Sequence, residues 1–154
     1  MSDDENADAG QRAPSDNSRS TPRVGKGEFD VIAPGLLHWR AAGYLRLEQI
    51  EPILFTANEL IRNGYRPHLF IDGDDIEGYD TEVRKVFQGW ALRNRAQIVG
   101  VWVLFRSPIV KMGLSIATAF TSGVVRGFGD ADEFDQALTE ATARAHAGEY
   151  RKSP

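Results

Sequence analysis

The stretch Phe70-Ile71-Asp72-Gly73-Asp74-Asp75-Ile76-Glu77-Gly78-Tyr79-Asp80-Thr81-Glu82 joins an apolar run, an acidic glycine-containing segment and the opening of a helix. With His68 and Leu69 in front of it, the run ending at Asp72 reads as a compact, buried strand. Gly73 to Asp80 reads as an acidic loop. A helix is predicted from about Thr81 to Arg95, burying Val83, Val86, Phe87, Trp90 and Ala91 on one side. Asp80 stands where an N-cap belongs, and Thr81 is the first helical residue behind it.

Downstream, Ile98 to Phe105 is nearly all apolar and β-branched, the composition of a strand covered on both faces. Ser107-Pro108 opens a short helix to about Ala119, Val124 to Phe128 makes another strand, and Asp130 starts a last helix that gathers Phe134, Leu138, Ala141 and Ala145 on one side. Upstream, Phe29 to Ile32 and Leu36 to Ala41 flank Pro34-Gly35, the pattern of a hairpin. Leu47, Ile50, Leu54, Phe55, Ala57, Leu60 and Ile61 recur at helical spacing until Asn63-Gly64, with Pro52 tolerable only near the first turn. Strand and helix alternate after the hairpin, which predicts an α/β domain over 28–148: a mixed sheet, its later strands parallel, with helices as crossovers. No internal repeat is present.

Residues 1–27 are mostly Asp, Asn, Ser, Arg, Pro and Gly, so ordering them would cost entropy without apolar burial in return; a disordered tail is expected there, and a flexible terminus over 149–154. The chain of 154 residues has a formal charge of −4 and no cysteine. Disulfides, thiolate nucleophiles, zinc fingers and iron–sulfur clusters are thereby excluded, and the acidic balance argues against holding nucleic acid through its phosphates. Met1-Ser2-Asp3-Asp4-Glu5 lacks the basic flank and apolar core of a secretory signal, and Met112 to Val125 is too short to span a bilayer, so a cytoplasmic protein is expected. His38, His68 and His146 lack metal-ligand spacing, and no cofactor or metal is expected.

The apolar strand ending in Asp72, a loop with Ile76 inside it, then Asp80-Thr81 at a helix start resembles the STAS domain of bacterial anti-sigma-factor antagonists, in its SpoIIAA-like branch. The strand from Val99, the helix from Ser107, the short strand at Val124 and the opening Asp130-Ala131-Asp132-Glu133-Phe134 of the last helix are similar to that branch in order and length, over about Phe29 to His146. The resemblance implies a non-enzymatic regulatory module that binds a protein partner such as an anti-sigma factor, a serine kinase or another regulator. It implies a surface switched by phosphorylation at the position of Thr81, with Asp80 and Asp72 beside it. Glu82 departs from the pattern, standing where switchable members often carry a small residue followed by Gly.

Tyr79, Met112, Leu114 and Ser115 are candidates for the partner surface, as are Trp39, Tyr44 and Phe120; the charge-poor helix around Met112 would equally suit an apolar, lipid-like ligand. A catalytic alternative stays open. Asp72 and Asp74 after an apolar strand, Ser107 and Lys111 after the next, and the acidic Gly129-Asp130-Ala131-Asp132 occur in the order of a magnesium-dependent phosphatase of the haloacid-dehalogenase type. Gly113-Leu114-Ser115-Ile116-Ala117 resembles a degenerate nucleophile elbow, but it lies inside a predicted helix rather than on a strand-to-helix turn.

Overall fold

The computed structural model describes residues 26–153, and of Lys26, Gly27 and Phe120 the backbone alone. The expected polar tail therefore lies outside the described residues as far as position 25, whereas Lys26 and Gly27 belong to the first strand rather than to a tail. Strands β1 (Lys26–Ala33) and β2 (Leu36–Leu45) form the antiparallel hairpin, with Phe29 opposite Trp39. There follow α1 (Leu47–Arg62), β3 (His68–Tyr79), α2 (Thr81–Arg93), β4 (Gly100–Phe105), α3 (Pro108–Phe120), β5 (Val125–Phe128) and α4 (Ala131–His146). Pro52 sits in the second turn of α1, further in than expected, on the exposed side. No helix of the described residues is long and apolar enough to cross a membrane.

The five strands lie in sequence order, β1-β2-β3-β4-β5, and every pair after the hairpin is parallel. Parallel neighbours need crossovers, and crossovers are right-handed; when each steps the same way across the sheet, their helices all land on one face. One core cluster accordingly joins Ile50, Ile53 and Ala57 of α1, Val83, Trp90 and Ala91 of α2, and Val110 and Ala117 of α3 to Leu37, Trp39, Leu69, Ile71, Val101 and Val103 of the sheet. Only α4, which has no strand after it, is free to cover the opposite face, where Phe134, Ala141 and Ala145 meet Leu36, Phe70, Leu104 and Phe128. Strand β4 is covered on both sides, as its composition predicts. Trp90 Nε1 donates to Asn58 Oδ1 at 2.8 Å, tying α2 to α1.

Three expectations need correction. The segment from Gly73 is not a loop: β3 runs on to Tyr79, paired with Ala42, Gly43, Tyr44 and Leu45 of a longer β2 through two register shifts. Gly73 permits this, since a Cβ there would stand 2.7 Å from the Leu104 carbonyl oxygen. Val86 is not buried; it lies on the outer side of α2, at 36% exposure. The C-terminus is pinned. Tyr150 is buried, its hydroxyl 2.9 Å from His68 Nδ1, while the Arg66 amide donates to the Tyr150 carbonyl and the Lys152 amide to the Gly64 carbonyl.

Candidate functional site

The chemistry-bearing residues gather where β3 and β4 end and α2 and α3 begin, the usual functional edge of a parallel sheet. Tyr79 closes β3, Asp80 takes the N-cap position of α2 and Thr81 is exposed on its first turn. Asp80 has the extended backbone of a cap, yet its side chain caps nothing. Its Oδ1 instead accepts the Tyr44 hydroxyl at 2.8 Å, and this bond to a carboxylate raises the Tyr44 pKa. The first turn of α2 therefore carries no side-chain cap, which the sequence alone does not reveal.

Tyr79 reaches across to α3. Its hydroxyl donates to the Ile109 carbonyl at 3.4 Å, and the ring lies so close to Gly113 that any side chain there would overlap the Tyr79 oxygen. Ser107 caps α3, its Oγ accepting the Ile109 amide at 3.2 Å. Of the other surface candidates, Met112 is 61% exposed on the outer side of α3, with Ile109 close behind at 50%. Ser115 is exposed and its hydroxyl donates to the Lys111 carbonyl; Leu114 is half-buried and packs on the core. Leu114, Ser115 and Lys111 border an open groove of about 650 Å³ between α3 and the edge strand β5. Trp39 belongs to the core rather than to a surface, and the side chain of Phe120 lies outside the described residues.

The phosphatase pieces do not converge. Asp72 lies within β3 rather than at its end, and its Oδ1 accepts the Asp74 amide at 3.2 Å. Asp74 Oδ2 is paired with Arg106 at 2.8 Å. Asp130 accepts the amides of Asp132 and Glu133 as the N-cap of α4, and Ser107 is occupied by its own cap. Among the described residues no group of three or more His, Asp or Glu is placed to hold a metal ion. Near Asp72, His38 is held below its ordinary pKa by burial first and by Arg40 second, while Asp72 and Asp135 pull the other way. Gly113 to Ala117 lies within α3, away from any strand-to-helix turn.

Behind the Tyr79 contact, between the sheet and helices α2 and α3, lies an apolar cavity of about 110 Å³. Trp39, Ile71, Phe87, Val103, Leu114 and Ala117 are among its walls. Gln88 also lines it, and the buried Gln88 Oε1 has no hydrogen-bond partner among the described residues. Gln88 escapes a reading of the sequence because a lone glutamine between Phe87 and Trp90 looks like any solvated helix position.

No protein-family model and no curated protein sequence matches the chain. Solved structures do. A DUF3478-family protein with a SpoIIAA-like fold from Shewanella loihica superposes with a TM-score of 0.54 at 19% identity, covering 77% of this chain and 97% of that one. The anti-sigma factor antagonist SpoIIAA in its unphosphorylated form gives 0.52 at 14% identity, over 74% and 97%. The Bacillus cell fate determinant SpoIIAA in its phosphorylated form gives 0.53 at 13%, over 73% and 99%. The chain has the SpoIIAA-like, STAS-type α/β fold.

Proposed function

We propose that this chain is a non-enzymatic regulatory module that docks a protein partner with the face built by the end of β3, the first turn of α2 and the outer side of α3, and that Thr81 is its switch. The observation that carries this reading is the exposed Thr81 on a helix start whose neighbouring carboxylate, Asp80, is engaged by Tyr44 and leaves the helix uncapped. SpoIIAA, an anti-sigma factor antagonist with phosphorylated and unphosphorylated forms, shares the fold and supports the same assignment here. The partner would be an anti-sigma factor, a serine kinase or another regulator, met in the cytoplasm.

The energetics favour a switch read at the surface. Phosphate on the first turn gains roughly 0.3–1 kcal/mol from the helix dipole. It also adds about −1.5 to −2 charge near Asp74, Asp75, Glu77, Asp80 and Glu82, which oppose it, Asp74 least because Arg106 pairs with it. These terms act in opposite directions within α2, and the change that a partner meets directly is the added charge. Intact-mass measurement on protein from its own cell, paired with partner capture by wild type and Thr81→Glu, tests this. Phosphate on Thr81 and altered capture are expected. A Thr81 that never carries phosphate, with unchanged capture by the variant, sinks the switch.

A second reading is favoured by the cavity behind Tyr79: an apolar ligand held between the sheet and helices α2 and α3.

A further inference from the structure

We propose that this cavity holds a small, uncharged and wholly apolar molecule, a single hydrocarbon ring or its equivalent in size; the inference rests on the apolar-ligand reading and names the class of ligand. Protein interiors are close-packed, and a void larger than a water molecule costs stability in proportion to its volume. Here side chains leave about 110 Å³ unfilled between the sheet and helices α2 and α3. On the α3 wall stand Gly113 and Ala117, the two smallest residues of the lining. Gly113 cannot grow to close the space, because a Cβ there overlaps the Tyr79 hydroxyl. A molecule that fills the space from outside the chain recovers the missing contacts. An engineered apolar cavity of about 150 Å³ in another protein accepts benzene. A single ring is therefore the right scale, and a long acyl chain outgrows the site.

The chemistry of the wall turns other occupants away. Side chains such as Ile71, Phe87, Val103 and Leu114 present hydrocarbon, and the wall exposes almost no polar surface. The Gln88 oxygen is enclosed by the protein, beyond the reach of an occupant. The Tyr79 hydroxyl is bonded to the Ile109 carbonyl. Arg84 brings the Cδ methylene of its stem alongside Gly113, 3.7 Å from where a Cβ would stand. Water is a poor occupant, because an ordered buried water needs two to four polar partners. A hydroxyl brought inside would give up its hydration with no hydrogen bond in return, and a carboxylate would give up far more. Selection is by exclusion: the site favours the molecule that water solvates worst.

The test is titration of the whole purified protein with toluene, phenol, benzoate and decanoate, followed by NMR. Toluene is expected to bind saturably and phenol about tenfold or more weakly, the scale of one hydroxyl desolvated without a partner. Benzoate and decanoate should not bind. Toluene protons should give intermolecular NOEs to the methyl groups of Val103 and Ala117 on the cavity wall. Ala117→Leu, which fills the cavity from α3, should abolish toluene binding, with circular dichroism confirming that the variant folds; if it does not fold, the wild-type NOEs decide the location. Phenol binding as tightly as toluene would overturn the choice of a hydrocarbon and leave the apolar-ligand reading intact. Decanoate binding more tightly than toluene would overturn the size limit and leave that reading equally intact. A preference for benzoate would overturn the proposal in favour of recognition by charge. Binding of none of the four, NOEs confined to Ile109 and Met112 on the outer side of α3, or undiminished toluene binding by folded Ala117→Leu would overturn both the proposal and the reading it rests on.

Discussion

His68 should make the fold sensitive to mild acid, and replacing it with Asn should remove that sensitivity. The ring is 2% exposed on the α4 face of the sheet, packed against Phe70, Trp102 and Tyr150. Its Nδ1 shares a hydrogen bond with the Tyr150 hydroxyl and its Nε2 has no partner among the described residues. Burial, with a smaller push from Arg144, lowers its pKa from 6.5 to about 3. Between those values the unfolded chain binds a proton that the folded chain refuses. Stability is therefore fully present above pH 6.5 and drains as the pH falls toward 3. At pH 5 the group is 1.5 units below its unfolded value, and at about 1.36 kcal/mol per unit the loss is about 2 kcal/mol. That figure holds for any folded pKa well below 5, because it depends on protonation of the unfolded chain. Against a typical domain stability of about 5–15 kcal/mol it is easily measured. Urea denaturation at pH 7.5 and pH 5, on wild type and His68→Asn, isolates the term, since carboxylates contribute equally to both proteins. Asn keeps a group where Nδ1 meets Tyr150. The wild type should lose about 2 kcal/mol more than the variant on acidification; an equal loss in the two proteins would refute the reasoning.

Gly113→Ala should destabilise the fold by about 1–3 kcal/mol, the scale of overpacking, because the new methyl is driven into the Tyr79 hydroxyl. A double-mutant cycle with Tyr79→Phe should recover part of the loss, and no recovery would place the strain elsewhere. Asp72→Asn should leave aryl-phosphate turnover in Mg²⁺ at the buffer baseline shared with wild type, since Asp74 is paired with Arg106 and Asp130 caps α4; turnover lost with Asp72 would revive the phosphatase.

The parts of the fold legible in the sequence are those in which a single element carries its own period. Val101 to Phe105 announces a doubly covered strand, and Phe134, Ala141 and Ala145 mark the inner side of α4 without help from neighbours. The end of β3 does not. Asp75 and Glu77 point outward while Ile76 and Gly78 are buried, a true alternation, but four acids and two glycines between Asp72 and Gly78 carry the composition of a loop. Its partner, Ala42 to Leu45, contains Gly43 and looks equally unlike a strand. Each segment becomes a strand because the other pairs with it, and pairing between distant segments is invisible to a local window. Tyr150 is similar: one aromatic residue in a polar terminus gives no period, and its burial depends on the His68 side of β3. At the site, the place of Asp80 and Thr81 at the start of α2 was legible because helix starts are local signals, but the Asp80 side chain bonds Tyr44 instead of capping. The Tyr44 bond, the Tyr79–Gly113 contact and the unpaired Gln88 oxygen join residues remote in sequence, so only the packed chain brings them to light.

Tyr79 belongs to both functional readings, and the way it is held decides whether they interfere. Its ring lines the cavity, while two residues later Thr81 faces solvent. The backbone around it is pinned, with Leu45 opposite Tyr79 in the sheet and the Asp80 amide donating to the Leu45 carbonyl at 3.1 Å. The side chain is pinned independently by Ile109 and by the flush contact with Gly113 on α3. A charge added at Thr81 lies on water-exposed surface, where the high dielectric of water weakens its pull on the Tyr79 ring. Moving the ring requires breaking its contacts with Ile109 and Gly113 on α3, while strand pairing holds the backbone beneath it. Under the proposed switch, the face around Thr81 would therefore change its charge while the Tyr79 side of the cavity stays held by its own contacts.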